Sequence, residues 1–164
     1  MAESLARYLP DNAATSQLGA ALARAVLDAA PARLVIYLDG ELGAGKTALA
    51  RAVLAGLGHT GRVPSPTYTL VEPYPLDAYR VFHIDLYRLR DPAELDDLGL
   101  TDELGPGSLL LAEWPSRGAG RLPPADLVCQ LGFDGEGRQA LLRALTGEGA
   151  RVLVQLNHVL PAQF

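Results

Sequence analysis

The sequence predicts an α/β fold, a three-layer sandwich around a mixed, mainly parallel central sheet, and three observations predict it. The octet GELGAGKT, from Gly40 to Thr47, lies between an apolar run, Leu34 to Gly40, and a segment whose Leu49, Ala52, Val53 and Gly56 mark one helical face. Helical stretches then alternate with short apolar runs, the pattern of a parallel sheet covered by helices. Two pairs of runs are separated by turn residues, Pro75 to Ala78 and Asp134 to Gly137, and so add hairpins to that sheet. At 164 residues the chain is most simply one domain, 1–164, long enough to bury a core.

Taken in order, Leu5 to Leu9 forms a short first strand ended by Pro10. From Thr15 to Ala30, Leu18, Leu22, Ala25, Val26 and Ala29 recur at helical spacing until Pro31 closes the element. The strand ending at Gly40 and the glycine-rich octet follow, then a helix that starts at Thr47 and stops near Gly56 and Gly58. Arg62 to Pro66 is a loop punctuated by proline, Thr67 to Tyr74 alternates as a strand, and Arg80 to Tyr87 is the next strand. Asp91-Pro-Ala-Glu94 supplies an N-cap, a proline at the first helical position and a glutamate at the third, so a helix starts there. Ser108 to Glu113 is a continuous apolar run closed by an acid, as a buried central strand requires. Ala125 to Phe133 and Arg138 to Leu145 form a hairpin, and Ala150 to Leu160 is read as a helix rather than a strand.

Apolar residues make up 49% of the chain and charged residues 20%, an ordinary globular balance. The formal charge of −5 and the absence of a basic run give no electrostatic footprint for direct tRNA or DNA binding. One cysteine, Cys129, excludes an internal disulfide framework and sits in an apolar stretch that suits a buried thiol. MAESLARYLPD carries charges and a proline where a signal peptide needs an apolar run, and no segment is apolar enough to span a bilayer. The expectation is a cytoplasmic protein with no membrane partner.

The octet Gly40-Glu41-Leu42-Gly43-Ala44-Gly45-Lys46-Thr47, with Ala48 behind it, fits G-x-x-x-x-G-K-[ST], the phosphate-binding P-loop, and makes the fold P-loop NTPase-like. Its glycines let successive N–H groups approach a phosphate, and the helix that follows turns its N-terminal dipole toward the anion. Of 14 basic residues all but Lys46 are arginine, so the one lysine stands where a compact charge reaches phosphates better than a planar fork. Thr47 offers a hydroxyl to Mg²⁺, which also needs an acid at the end of a buried strand. Glu113 and Asp85 are the two candidates; a loop-capping carboxylate is the other reading of Asp85.

Val63-Pro-Ser-Pro-Thr-Tyr-Thr69 presents hydroxyls at Ser65, Thr67 and Thr69 on a stiffened backbone, in the place of a switch that senses the γ-phosphate; an ordinary loop entering a strand is the alternative. His83 shares a strand face with Asp85 and is read as a satisfied strand histidine with no catalytic role. Trp114 is read as packing, with a secondary possibility of shielding phosphates from water. Arg117 and Arg121 lie on a glycine-rich loop that is read as solvated, with a lid or arginine finger as the sharper alternative. No Asn-Lys-x-Asp is present, which favours ATP over GTP.

The combination of GELGAGKT, Ser65-Pro-Thr-Tyr-Thr-Leu-Val-Glu-Pro-Tyr74, His83-Ile-Asp-Leu-Tyr-Arg88, Glu94-Leu to Leu98-Gly-Leu100 and Glu113-Trp-Pro115 resembles the TsaE (YjeE) family across nearly the whole chain. The resemblance implies a small ATPase that supports threonylcarbamoylation of adenosine 37 in tRNA, working with TsaB and TsaD and resetting their complex between turnovers. It implies that Gly43 to Thr47 bind the ATP phosphates, that Thr47 and Glu113 hold Mg²⁺, and that Asp85 matters for hydrolysis. It further implies that Ser65 and Thr67 belong to the switch-like loop and that Thr15 lies near the nucleotide. Arg138 is carried over from the C-terminal part, which matches the family pattern least. Two other functions remain open on the residues alone. One is a small-molecule P-loop kinase with Asp85 as base and Arg117 or Arg121 as lid; the other is a nucleotide-gated binding protein without meaningful turnover.

Overall fold

The structure is a computed structural model that describes residues 3–64 and 70–164. The chain order is β1 (Ser4–Leu9), α1 (Asn12–Ala29), β2 (Arg33–Gly40), α2 (Lys46–Gly56), β3 (Val71–Pro75), β4 (Arg80–Asp85), α3 (Leu100–Glu103), β5 (Ser108–Glu113), β6 (Leu127–Asp134), β7 (Gly137–Ala144) and α4 (Gly147–Val159). Two 3-10 segments, Pro92–Leu98 and Pro115–Gly118, lie on either side of α3 and β5. Among the described residues all seven strands join one sheet in the order β1-β7-β6-β2-β5-β4-β3. β6, β2, β5 and β4 are mutually parallel, while β7 and β3 run against their neighbours. Because β1 is antiparallel to β7, it points the same way as the central four. The mixed, mostly parallel α/β sheet that the sequence predicts is present.

Alternation along the central strands divides the core. Leu34, Ile36 and Leu38 of β2, Leu109 and Leu111 of β5, and Leu127, Cys129 and Leu131 of β6 face α1, α2 and α4. Val35, Leu110, Ala112 and Val128 point the other way, under Leu95, Leu100, Leu104 and Leu122. That second covering layer is thin, made of 3-10 turns and the single-turn α3, where the alternation of the sequence suggested full helices. Asp91 does cap its segment, accepting from the Ala93 N–H, but the chain runs on as 3-10 until Gly99 turns it at φ 64°.

Other boundaries shift for local reasons. α1 starts at Asn12 rather than Thr15 because Asp11 caps it, accepting from the Ala14 N–H at 2.9 Å. β4 stops at Asp85 rather than Tyr87, since the Asp85 carboxylate accepts from the Tyr87 N–H and starts a turn. Pro75, expected in a turn, ends β3; the prolines at 73 and 75 are tolerated because β3 is an edge strand. Residues 67–69 of the expected third strand lie outside the described residues. The β6–β7 hairpin and the C-terminal helix form as predicted, and Ser108–Glu113 has the predicted bounds. Among the described residues no helix is long and apolar enough to cross a membrane.

Candidate functional site

β2 delivers the chain to the carboxyl edge of the sheet, where the loop 41–45 turns into α2. Only glycine fits at Gly40: its φ is 150°, and a Cβ there would stand 2.3 Å from the Leu131 carbonyl oxygen. Gly43 at φ 81° and Gly45 at φ 109° complete a backbone cradle ahead of the helix. Arg138 on β7 reaches this cradle from the side, donating to the Gly43 carbonyl at 3.3 Å with its guanidinium 4.3 Å over the Phe133 ring. Thr15 is 3% exposed, its Cγ2 3.8 Å from where a Cβ on Gly45 would lie. Thr15, which the resemblance placed near the nucleotide, and Arg138, carried over from the C-terminal part, are therefore both at the loop. Of the remaining octet residues, Ala44 is fully buried and Leu42 is exposed.

Lys46, 4% exposed, opens α2 and folds back on the loop, donating to the carbonyls of Gly40 at 2.6 Å and Glu41 at 2.8 Å. Its ammonium lies 4.2 Å over the Trp114 ring, a cation–π contact. Burial pushes the Lys46 pKa down, while Glu113, Asp39 and Asp85 pull it back up. Trp114 is thus more than packing. It adopts φ 56°, a left-handed conformation that bulky residues rarely hold, and it walls the cleft beside Lys46.

Behind Lys46, the Thr47 hydroxyl donates to Glu113 Oε1 at 2.8 Å. Glu113 is 1% exposed, and its other oxygen, Oε2, is 2.6 Å from His83 Nε2. β4 and β5 are in parallel register with Asp85 opposite Glu113, so both candidate acids emerge at one sheet edge. A cleft of about 470 Å³ opens over them, lined by Asn12, Gly43, Gly45, Lys46, Thr47, Ala48, Leu70, Asp85, Tyr87, Arg88, Glu113 and Trp114, with Leu42 on its rim. Ser65 and Thr67 lie outside the described residues; Leu70, just after them, is on the cleft wall.

Arg117 is exposed, as the solvated reading expects, while it donates to the Tyr87 carbonyl and faces the Tyr87 and Trp114 rings at the cleft wall. Arg121 is ion-paired with Asp96 instead. Sequence reasoning missed Asn12, Tyr87 and Arg88 as wall residues. It also gave His83 no part in the site. The available signal was a histidine two positions before a strand-end aspartate, beside a strand that itself ends in an acid.

Comparison with known proteins gives a consistent answer. The family model described as "Threonylcarbamoyl adenosine biosynthesis protein TsaE" matches residues 9–140. A Haemophilus influenzae protein named tRNA threonylcarbamoyladenosine biosynthesis protein TsaE is 41% identical over 152 residues, covering 92% of this chain and 96% of that one. A protein of the same name from Synechocystis is 39% identical over 118 residues, 70% of this chain and 72% of its own length. The crystal structure of Bacillus subtilis YdiB superposes with a TM-score of 0.77 over 96% of this chain and 97% of that one, at 24% identity, and so shows the same fold. The chain belongs to the TsaE family of threonylcarbamoyl adenosine biosynthesis proteins.

Proposed function

We propose that this chain is a cytoplasmic ATPase that binds Mg·ATP in the cleft and hydrolyses it to drive turnover of a TsaB–TsaD complex, in making N6-threonylcarbamoyladenosine at position 37 of tRNA. The observation that carries the reading is the Thr47 hydroxyl set against the buried Glu113 carboxylate at the head of α2, directly below the glycine cradle. The donor set fits Mg²⁺: one hydroxyl and one carboxylate are hard oxygen ligands, the sparse protein share that this ion takes when phosphates and waters supply the rest. Among the described residues no three His, Cys, Asp or Glu side chains cluster as an all-protein metal cage, which agrees with an ion brought in by its nucleotide. When bound, the metal offsets phosphate charge.

The remaining work falls to the chain itself. Backbone N–H groups at 43–47 and the N-terminus of α2 hold the phosphates. Lys46 exchanges its carbonyl partners for phosphate oxygens, and Trp114 screens that charge from water. Asp85, across from Glu113 on the cleft wall, orients the attacking water. The acidic net charge fits a subunit whose partners carry the tRNA. Phosphate release, measured for the chain alone and with TsaB and TsaD, tests the proposal: slow turnover alone and a clear rise with the partners are expected. Equal rates in both, or none in either, would overturn it. Transfer of phosphate to an added small-molecule acceptor would point to the kinase alternative.

A further inference from the structure

His83 has no place in the P-loop signature, yet it is a fully buried polar side chain in direct contact with the site. It sits on β4, opposite Leu111 of β5, fully buried, with Nε2 2.6 Å from Glu113 Oε2. Its other ring nitrogen, Nδ1, is buried and finds no hydrogen-bond partner among the described residues. A histidine kept for core packing has no reason to aim one nitrogen at a carboxylate and leave the other unpaired, since an apolar ring fills the same space. The polarity of His83 is spent on one contact, and that contact is with the acid at the end of β5.

The carboxylate needs such a hold. Glu113 has a short stem from a strand end and two equivalent oxygens, and rotation about its last torsion exchanges them freely unless one is fixed. With Glu113 ionised it can only accept, so the bond to Oε2 is a donation from Nε2–H. Fixing Oε2 leaves Oε1 facing Thr47 Oγ1 at 2.8 Å, at the phosphate end of the cleft. We propose that His83 is a positioning residue: through Oε2 it orients the Glu113 carboxylate so that Oε1 and the Thr47 hydroxyl present a joint oxygen face to the metal of a bound Mg-nucleotide. The inference rests on the nucleotide reading above and goes beyond it by naming the residue that sets the geometry of the acid.

The test is calorimetric titration of ADP into the folded protein with Mg²⁺ and with EDTA, for the native chain, His83→Phe and His83→Gln. Thermal midpoints are measured alongside. Glutamine can place an amide N–H where Nε2 stands; phenylalanine fills the space without a donor. The expected result is EDTA affinity within about twofold of native in both variants. The gain in affinity on adding Mg²⁺ should fall about tenfold or more in H83F, the usual cost of losing an outer hydrogen bond to a metal ligand, and largely return in H83Q. H83N, whose amide stops short of Glu113, takes the place of H83F should that chain not fold. A native-sized Mg²⁺ gain in H83F overturns the proposal, as does an equal loss in H83F and H83Q or a loss that persists in EDTA. A native protein that binds no ADP under either condition fails earlier, on the nucleotide reading itself.

Discussion

Lys46 carries the largest expected single-residue effect. It is buried against two carbonyls and a tryptophan ring, a position that gives a cation little beyond storage until a phosphate arrives. Lys46→Ala removes a charge-assisted contact of about 1.5–3 kcal/mol, so ATP affinity should drop about ten- to a hundredfold by calorimetry with the fold intact. Glu113 and Asp85 should separate in effect. Glu113→Gln weakens the oxygen pair with Thr47 and should reduce Mg²⁺-dependent binding, whereas Asp85→Asn should retain ATP and lose phosphate release. Cys129 behaves as the apolar stretch around it suggested: burial pushes the thiol up to about 12 from an ordinary 9.0. The folded thiol then keeps a proton that the unfolded one loses above about pH 9. Its contribution to stability is complete below that pH and is lost as pH rises toward 12. The native protein should resist thiol reagents at pH 8 and react fully once denatured, and its urea midpoint should fall more steeply above pH 9 than that of Cys129→Ala.

Among elements, the pairing of α1 with α2 matters most, because α2 carries Lys46 and Thr47 at its head. The two helices touch through small residues in both directions. A Cβ on Gly19 would lie 2.3 Å from the Ala52 Cβ, and one on Gly56 would lie 2.5 Å from the Ala23 Cβ. Glycine in a helix costs roughly 1 kcal/mol relative to alanine, so its use here reflects the close approach. Gly19→Ala and Gly56→Ala must push the helices apart, and overpacking of about 1–3 kcal/mol should cancel or exceed the propensity gain. Gly147→Ala at the start of α4 meets nothing within 4 Å and should be neutral or stabilising by up to about 1 kcal/mol. Chemical denaturation of the three variants gives the comparison. Elements with a strong period or sharp punctuation were legible in the sequence: β5 from its apolar run and terminal acid, α1 from its five recurring apolar positions, the β6–β7 turn from Asp-Gly-Glu-Gly. The covering layer over the second face was not. Short segments bury single leucines without any period, Leu95 in a 3-10 turn and Leu104 just after α3, and a capping signal at Asp91 looks the same before a 3-10 turn as before an α-helix. In the candidate site, the P-loop and both acids were readable because motif and strand ends announce them. His83, Tyr87 and Trp114 acquire their places only when β4 and β5 align in register, which a linear pattern does not record.

At the scale of the whole molecule, five strands pointing one way bring the loop after β2 and the ends of β4 and β5 to one edge, while α1, α2 and α4 pack on a single face. Among the described residues the candidate acids and the cradle thus share one cleft. A partner docking over that cleft is well placed to exclude water and complete the site, which is why slow turnover is expected of the isolated chain. Family membership ties the molecule to threonylcarbamoyladenosine synthesis, and the proposed function has the P-loop site power that role. The direct measurement is mass spectrometry of tRNA nucleosides from a bacterial strain lacking its own TsaE, supplied with this chain or with its Lys46→Ala variant at matched protein levels. The native chain should restore threonylcarbamoyladenosine and the variant should leave it near the level of the deletion. Full restoration by Lys46→Ala would contradict the account.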